Sequence, residues 1–138
     1  MDPTQFKQRT QAFALRVIRL VESLPKSGAS GVIGRQLLRR GTSVGANYRS
    51  ACRAKSQADF VSKMGIVEEE SDECINWMEL LIETGYVKVE LLADLMREAE
   101  EILSMVVASI KTARRGKQSA IRNPKSAIGS HTAHVTTR

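Results

Sequence analysis

No acidic residue occurs between Ser23 and Ala58, a stretch that carries Lys26, Arg35, Arg39, Arg40, Arg49, Arg53 and Lys55. A one-signed interval of this length cannot neutralise itself, so its charge must be met by a neighbouring element or by an anionic partner. Prolines are also scarce, three in 138 residues, as are aromatic residues, with three Phe, two Tyr and one Trp. Val, Ile, Leu, Ala and Met are spread over long stretches with few turn clusters, a composition that favours helix over sheet. The two cysteines, Cys52 and Cys74, lack CxxC or CxxH spacing, which excludes a zinc knuckle or a redox pair and leaves two small packing residues. No run approaches the roughly twenty apolar residues of a membrane span, and the opening MDPTQFKQRT has no apolar signal core. The expectation is a soluble, cytoplasmic protein.

Several chemistries are missing as well. There is no Walker loop, no dinucleotide fingerprint, and no Ser/His/Asp or Cys/His arrangement inside the periodic segments. A ferritin-like dimetal site needs inward glutamates and Glu-x-x-His pairs. Here the acids of the third helical segment are expected to point outward. Glu98 and Glu101 have no following histidine, and His131 and His134 lie near the C-terminus. No enzyme, metal or cofactor is expected.

What is present is helical periodicity. Phe6, Phe13, Val17, Leu20 and Leu24 recur at three- and four-residue steps and predict a helix over about Gln5 to Ser23, with Thr4 as its cap. Ile33, Leu37, Val44, Tyr48 and Ala51 align at 100° per residue and predict a second helix from Ser30 to Ala54. Its glycines, Gly31, Gly34, Gly41 and Gly45, each cost about 1 kcal/mol against alanine, unless they serve close approach of a neighbouring backbone. Ser56-Gln57-Ala58-Asp59 reads as a capping box that opens a third helix carrying Phe60, Met64, Val67, Ser71, Cys74, Met78 and Leu81 inward, with Gly85 as its stop. A fourth runs from Val89 to Ala113 with Leu92, Leu95, Ala99, Ile102, Val106 and Ile110 inward. Short links between long amphipathic helices imply an all-α, antiparallel up-down-up-down four-helix bundle over residues 1–115. Residues 116–138 lack both periodicity and acids and are expected to be a disordered basic tail.

The charges sort by helix face. From Asp59 to Glu90 nearly every charge is acidic, the exceptions being Lys63 and Lys88. Arg35, Arg39, Arg49 and Arg53 project opposite the apolar stripe of the second helix, and with Lys55 they are candidates for binding nucleic acid, since arginine forks match phosphate geometry. The alternative is a solvated face whose helix is attracted to the acidic third helix. Arg40 falls near the apolar side beside Asn47, where a guanidinium requires a partner, and is read as a structural ion-pair residue mated to an acid on a neighbouring helix. Leu15 and Ile18 on the first helix, and Trp77 and Leu80 on the third, exceed what one core can bury and are candidates for an oligomer interface.

The run Gln36-Leu37-Leu38-Arg39-Arg40-Gly41-Thr42-Ser43-Val44-Gly45-Ala46-Asn47, with Lys55-Ser56-Gln57-Ala58-Asp59-Phe60 and Trp77-Met78-Glu79-Leu80-Leu81, resembles the four-helix bundle proteins encoded in intervening sequences of large-subunit ribosomal RNA genes. Relatives of that family include the accessory variability determinant of diversity-generating retroelements. The resemblance covers about Phe6 to Ala113. It implies a homopentamer with a central channel and, for the retroelement relative, binding of nucleic acid and of a reverse transcriptase through positive surface. A competing reading is a protein-interaction scaffold that docks an acidic protein partner without touching nucleic acid.

Overall fold

The structure, a computed structural model, describes residues 1–122, with side chains to Gly116. Four helices follow one another: α1 (Pro3–Glu22), α2 (Gly28–Ala51), α3 (Gln57–Glu83) and α4 (Val89–Arg122). Each packs against the next, and α4 closes the ring on α1 along a thinner seam. With links this short, consecutive helices must run antiparallel. The fold is an all-α, antiparallel four-helix bundle, with no strand among the described residues.

The inward positions named above are buried, with one exception: Leu20 is half-buried and packs against the core's edge. Phe6 and Tyr48 meet edge to face at 4.6 Å, which fixes α1 against the last turns of α2. Helix ends depart from the expected ones in instructive ways. Asp2, not Thr4, caps α1: its carboxylate accepts from the Thr4 amide at 3.0 Å, and Pro3 takes the first helical position, where no donor is needed. At the start of α2, Gly28 adopts φ +67°, and the helix begins two residues early and ends at Ala51. The Ser56 hydroxyl accepts from the Asp59 amide at 3.0 Å, but the Asp59 carboxylate reaches past Ser56 to the Lys55 amide. The largest difference is at the other end. α4 does not stop near Ala113 but continues through Gly116 to Arg122, so the expected tail boundary lies inside a helix. Arg114 to Arg122 is rich in good helix formers, and no proline intervenes before Pro124. Its sequence shows no apolar stripe. Residues 123–138, with His131 and His134, lie outside the described residues.

Two glycines of α2, Gly41 and Gly45, give α1 its close approach. A Cβ at Gly41 would stand 2.8 Å from Val17 Cγ1, and one at Gly45 would stand 2.9 Å from Thr10 Oγ1. Val17 and Thr10 are both fully buried, so neither can step aside. Gly65 on α3 is the contrast, because a Cβ there meets nothing. Gly41→Ala is therefore expected to destabilise the fold by about 1–2 kcal/mol, overpacking outweighing the gain in helix propensity. Gly65→Ala is expected to stabilise it by about 0.5–1 kcal/mol. Urea denaturation of both variants checks this, and equal effects of the two would remove the packing argument.

Candidate nucleic-acid interface

α2 has three flanks besides its apolar one, and each meets something different. Its glycine flank takes α1. The opposite flank carries Arg40 and Asn47 toward α3: Arg40 Nη1 lies 3.5 Å from Glu70 Oε2, Arg40 Nε lies 3.4 Å from Glu73 Oε1, and Asn47 Nδ2 donates to Glu70 Oε1 at 3.3 Å. Glu70 is buried and faces inward, which corrects the expectation that every acid of α3 points outward. It lies one step from Ser71 and Cys74 on the buried side, where Arg40 supplies the countercharge and Asn47 an amide. Cys74, fully buried beside this group, has its thiol pushed up to about 12 by burial and by Glu70 and Glu73, with Arg40 acting against them.

The third flank is outward. Arg35, Arg39, Thr42, Ala46 and Arg49 alternate by four and three residues and form one exposed line along α2, and Arg53, exposed in the turn after the helix, follows at the next four-residue step. Arg35 with Arg39 and Arg49 with Arg53 form two pairs, and Arg39 and Arg49 are about 15 Å apart along the helix at 1.5 Å per residue. Between them the surface is low, since the Thr42 hydroxyl turns back to donate to the Leu38 carbonyl at 2.7 Å and that of Ser43 to the Arg39 carbonyl at 2.6 Å. Lys55, just beyond the helix, is exposed too.

Two lysines extend this strip beyond what helix-by-helix reading could find. One shallow depression is lined by Ala46, Arg49, Ser50, Arg53 and Lys63 of α3, and another brings Lys7 and Gln11 of α1 to Arg49. Lys63 is 3.1 Å from Asp59, one turn earlier. The Lys55 amide and then the Lys63 ammonium hold the Asp59 carboxyl below the usual aspartate range. Lys7 reaches Arg49 because Thr10 rests on Gly45, a register that only the α1–α2 packing reveals.

Other sequence candidates lie elsewhere. Leu15 is 46% exposed and Ile18 half-buried on α1, whereas Trp77 and Leu80 are half-buried on α3 and pack against the core's edge. The two pairs sit at opposite corners of the bundle and do not form one patch. The Trp77 indole N–H is buried without a hydrogen-bond partner. Glu98 and Glu101 are engaged by an unforeseen residue, Arg9, whose Nε and Nη2 donate to Glu98 at 2.7 and 2.8 Å and whose Nη2 also donates to Glu101 at 2.9 Å. This fork ties α1 to α4 where those helices touch least, and it holds the guanidinium's pKa above its ordinary value. Among the described residues, no cluster of three or more metal-binding side chains occurs.

Two measurements follow. Arg40→Met strands the buried Glu70 carboxylate and is expected to cost about 1–3 kcal/mol, while Arg49→Met changes stability by less than about 0.5 kcal/mol. Chemical denaturation distinguishes them, and equal losses would reject the pairing role. For Asp59, a lowered pKa means that its contribution is fully present above the ordinary aspartate range and is lost as pH falls below that range through the lowered folded value. Asp59→Asn should therefore flatten the acid side of a melting-temperature profile between pH 3 and 7, and an unchanged profile would show that the contact contributes nothing.

The strip, the glycine contact and the cap of α3 all fall within a region shared with known proteins. The sequence profile of the 23S rRNA-intervening sequence proteins matches residues 3–108. A solved structure of a protein of unknown function from the S23 ribosomal protein family of Bacteroides thetaiotaomicron superposes with a TM-score of 0.73 at 35% identity, covering 81% of this chain and 100% of that one. Among curated proteins none matches. No helix among the described residues is long and apolar enough to cross a membrane. A match across most of the bundle, together with the shared fold, places the chain: it belongs to the 23S rRNA-intervening sequence protein family.

Proposed function

We propose that this protein is a non-enzymatic, cytoplasmic, homo-oligomeric bundle that binds nucleic acid through the outer face of α2. The observation that carries this reading is the exposed line of Arg35, Arg39 and Arg49 on a helix without a single acid, continued in the turn after it by Arg53 and Lys55. Guanidiniums with no carboxylate to consume them are available to phosphates, and the positive potential of such a strip concentrates polyanions. A family named for an intervening sequence of 23S rRNA agrees with an RNA ligand.

Oligomerisation multiplies the contact. The apolar surplus lies at two different corners, Leu15 with Ile18 and Trp77 with Leu80. A closed ring, a pentamer by the family resemblance, joins two unlike patches head to tail in this way. Several strips in one ring turn a weak contact per subunit into avidity. A reverse transcriptase is the protein partner that the retroelement resemblance adds.

A second reading has one observation in its favour. The 3.5-residue repeat of the strip also suits an acidic helix laid along α2, so the partner would be a protein. Filter binding with a labelled RNA in rising salt tests the first reading. With four phosphate contacts per subunit, affinity is expected to fall about a hundredfold between 50 and 200 mM salt. Replacing Arg35, Arg39, Arg49 and Arg53 by glutamine should lower the salt slope by about 3–4, the share of four phosphate contacts. Wild-type binding that is absent or insensitive to salt would reject it. Charge reversal at Arg49 and Arg53 that spares RNA binding but ends capture of an acidic helical peptide would favour the scaffold.

A further inference from the structure

The strip on α2 is one limb of a larger basic end, and the second limb is on α4. The Gln57 side-chain amide donates to the backbone carbonyl of Ala113, which sets Ala113 level with the first turn of α3. Met1, just ahead of α1, lines a shallow depression with Met105, Ala108 and Thr112, so α1 also begins before α4 reaches Ala113. α2 has ended at Ala51. Residues 114–122 therefore run on past the other three helices, an overhang of about 13 Å at 1.5 Å per residue. No acid occurs from Ile102 to the C-terminus, and the last described side chains before and on the overhang include Lys111, Arg114 and Arg115, all exposed.

The same end of the bundle holds Arg49, Arg53 and Lys55, with Lys7 and Lys63 beside them. Its acids are already engaged: Asp2 caps α1, and Asp59 holds Lys63 and the Lys55 amide. α2 and α4 stand at opposite corners of the bundle. With neighbouring axes about 8–10 Å apart, the axes of α2 and α4 are about 11–14 Å apart on the diagonal, and their exposed side chains carry the two sets of charges farther apart than the axes.

Every aromatic ring of the chain is placed away from this end or inside it. Phe6, Phe13, Phe60 and Tyr48 are core residues, while Trp77 and Tyr86 lie at the far end of α3 and on the link after it. Single-strand binding draws about 1–3 kcal/mol per base from stacking on exposed rings. Fixed guanidiniums on rigid helices instead suit phosphates held in a fixed pattern. Resting on the nucleic-acid reading above, the geometry points to a double-stranded ligand lying across this end of the bundle, its phosphates contacted by Arg49, Arg53 and Lys55 from one corner and by Lys111, Arg114 and Arg115 from the other.

The test is fluorescence anisotropy of the full-length protein with a labelled duplex and with each of its component strands, at several salt concentrations. The duplex is expected to bind about tenfold or more tighter than either strand, and K111Q/R114Q/R115Q to lower the salt slope for the duplex by about 2–3, as expected for two or three lost phosphate contacts. Unchanged helicity and melting temperature verify that the variant is folded. Strands bound as tightly as the duplex would overturn the duplex assignment, and unaltered duplex affinity in the triple variant would overturn the α4 limb. Either result leaves the α2 reading standing. Binding of neither ligand by the wild type would overturn both.

Discussion

The approach of α1 to α2 over bare glycine backbone is the contact from which the remaining geometry follows. Val17 lies against Gly41 and Thr10 against Gly45, so the two helices sit closer than any side chain at those positions would permit. That closeness sets the register of α1, and the register carries Lys7 to Arg49 and Phe6 to Tyr48. It also consumes one whole flank of α2. With the apolar flank in the core, only two flanks remain for the four arginines of α2, Arg35, Arg39, Arg40 and Arg49.

Those two flanks are used in opposite ways. Toward α3, Arg40 faces Glu70 and Glu73, an arrangement in which burial is tolerable because charge meets charge and Asn47 fills one of the remaining hydrogen-bonding positions on Glu70. Away from the bundle, the other arginines have no acid on their own helix. The attraction between a basic α2 and an acidic α3 is thus real but local: it engages one arginine and leaves the outer row unneutralised. Arg9 performs the corresponding task across the seam between α1 and α4.

Four helices, their inward residues and the isolation of Arg40 from the outer row were legible in the sequence, because a strict three-and-four spacing survives any tertiary context. What was not legible depends on which helix lies beside which. Lys7 and Lys63 read as ordinary surface lysines until the register places them at Arg49. Glu70 sits in a run of acids that looks uniformly solvated, and only its Arg40 and Asn47 partners explain an inward carboxylate. Arg9 has no local acid, so its fork with Glu98 and Glu101 is invisible within α1. The continuation of α4 was missed for a different reason. Periodicity registers burial, and a helix that projects beyond its neighbours has nothing to bury.

The outer row of α2 has a further consequence. Positions 35, 42 and 49 and positions 39, 46 and 53 follow a seven-residue repeat, the spacing at which two helices wind around each other as a supercoil. Thr42 and Ala46 at its middle are small enough to admit a neighbouring helix. The arginines at both ends are what disarm this row: two copies approaching along α2 would align like charges over its whole length. The same charge that repels a second copy along this face is the charge that, under the proposed function, would hold a polyanion. Replacing those arginines with leucine would remove the repulsion and complete a coiled-coil seam, opening a route of self-association along α2.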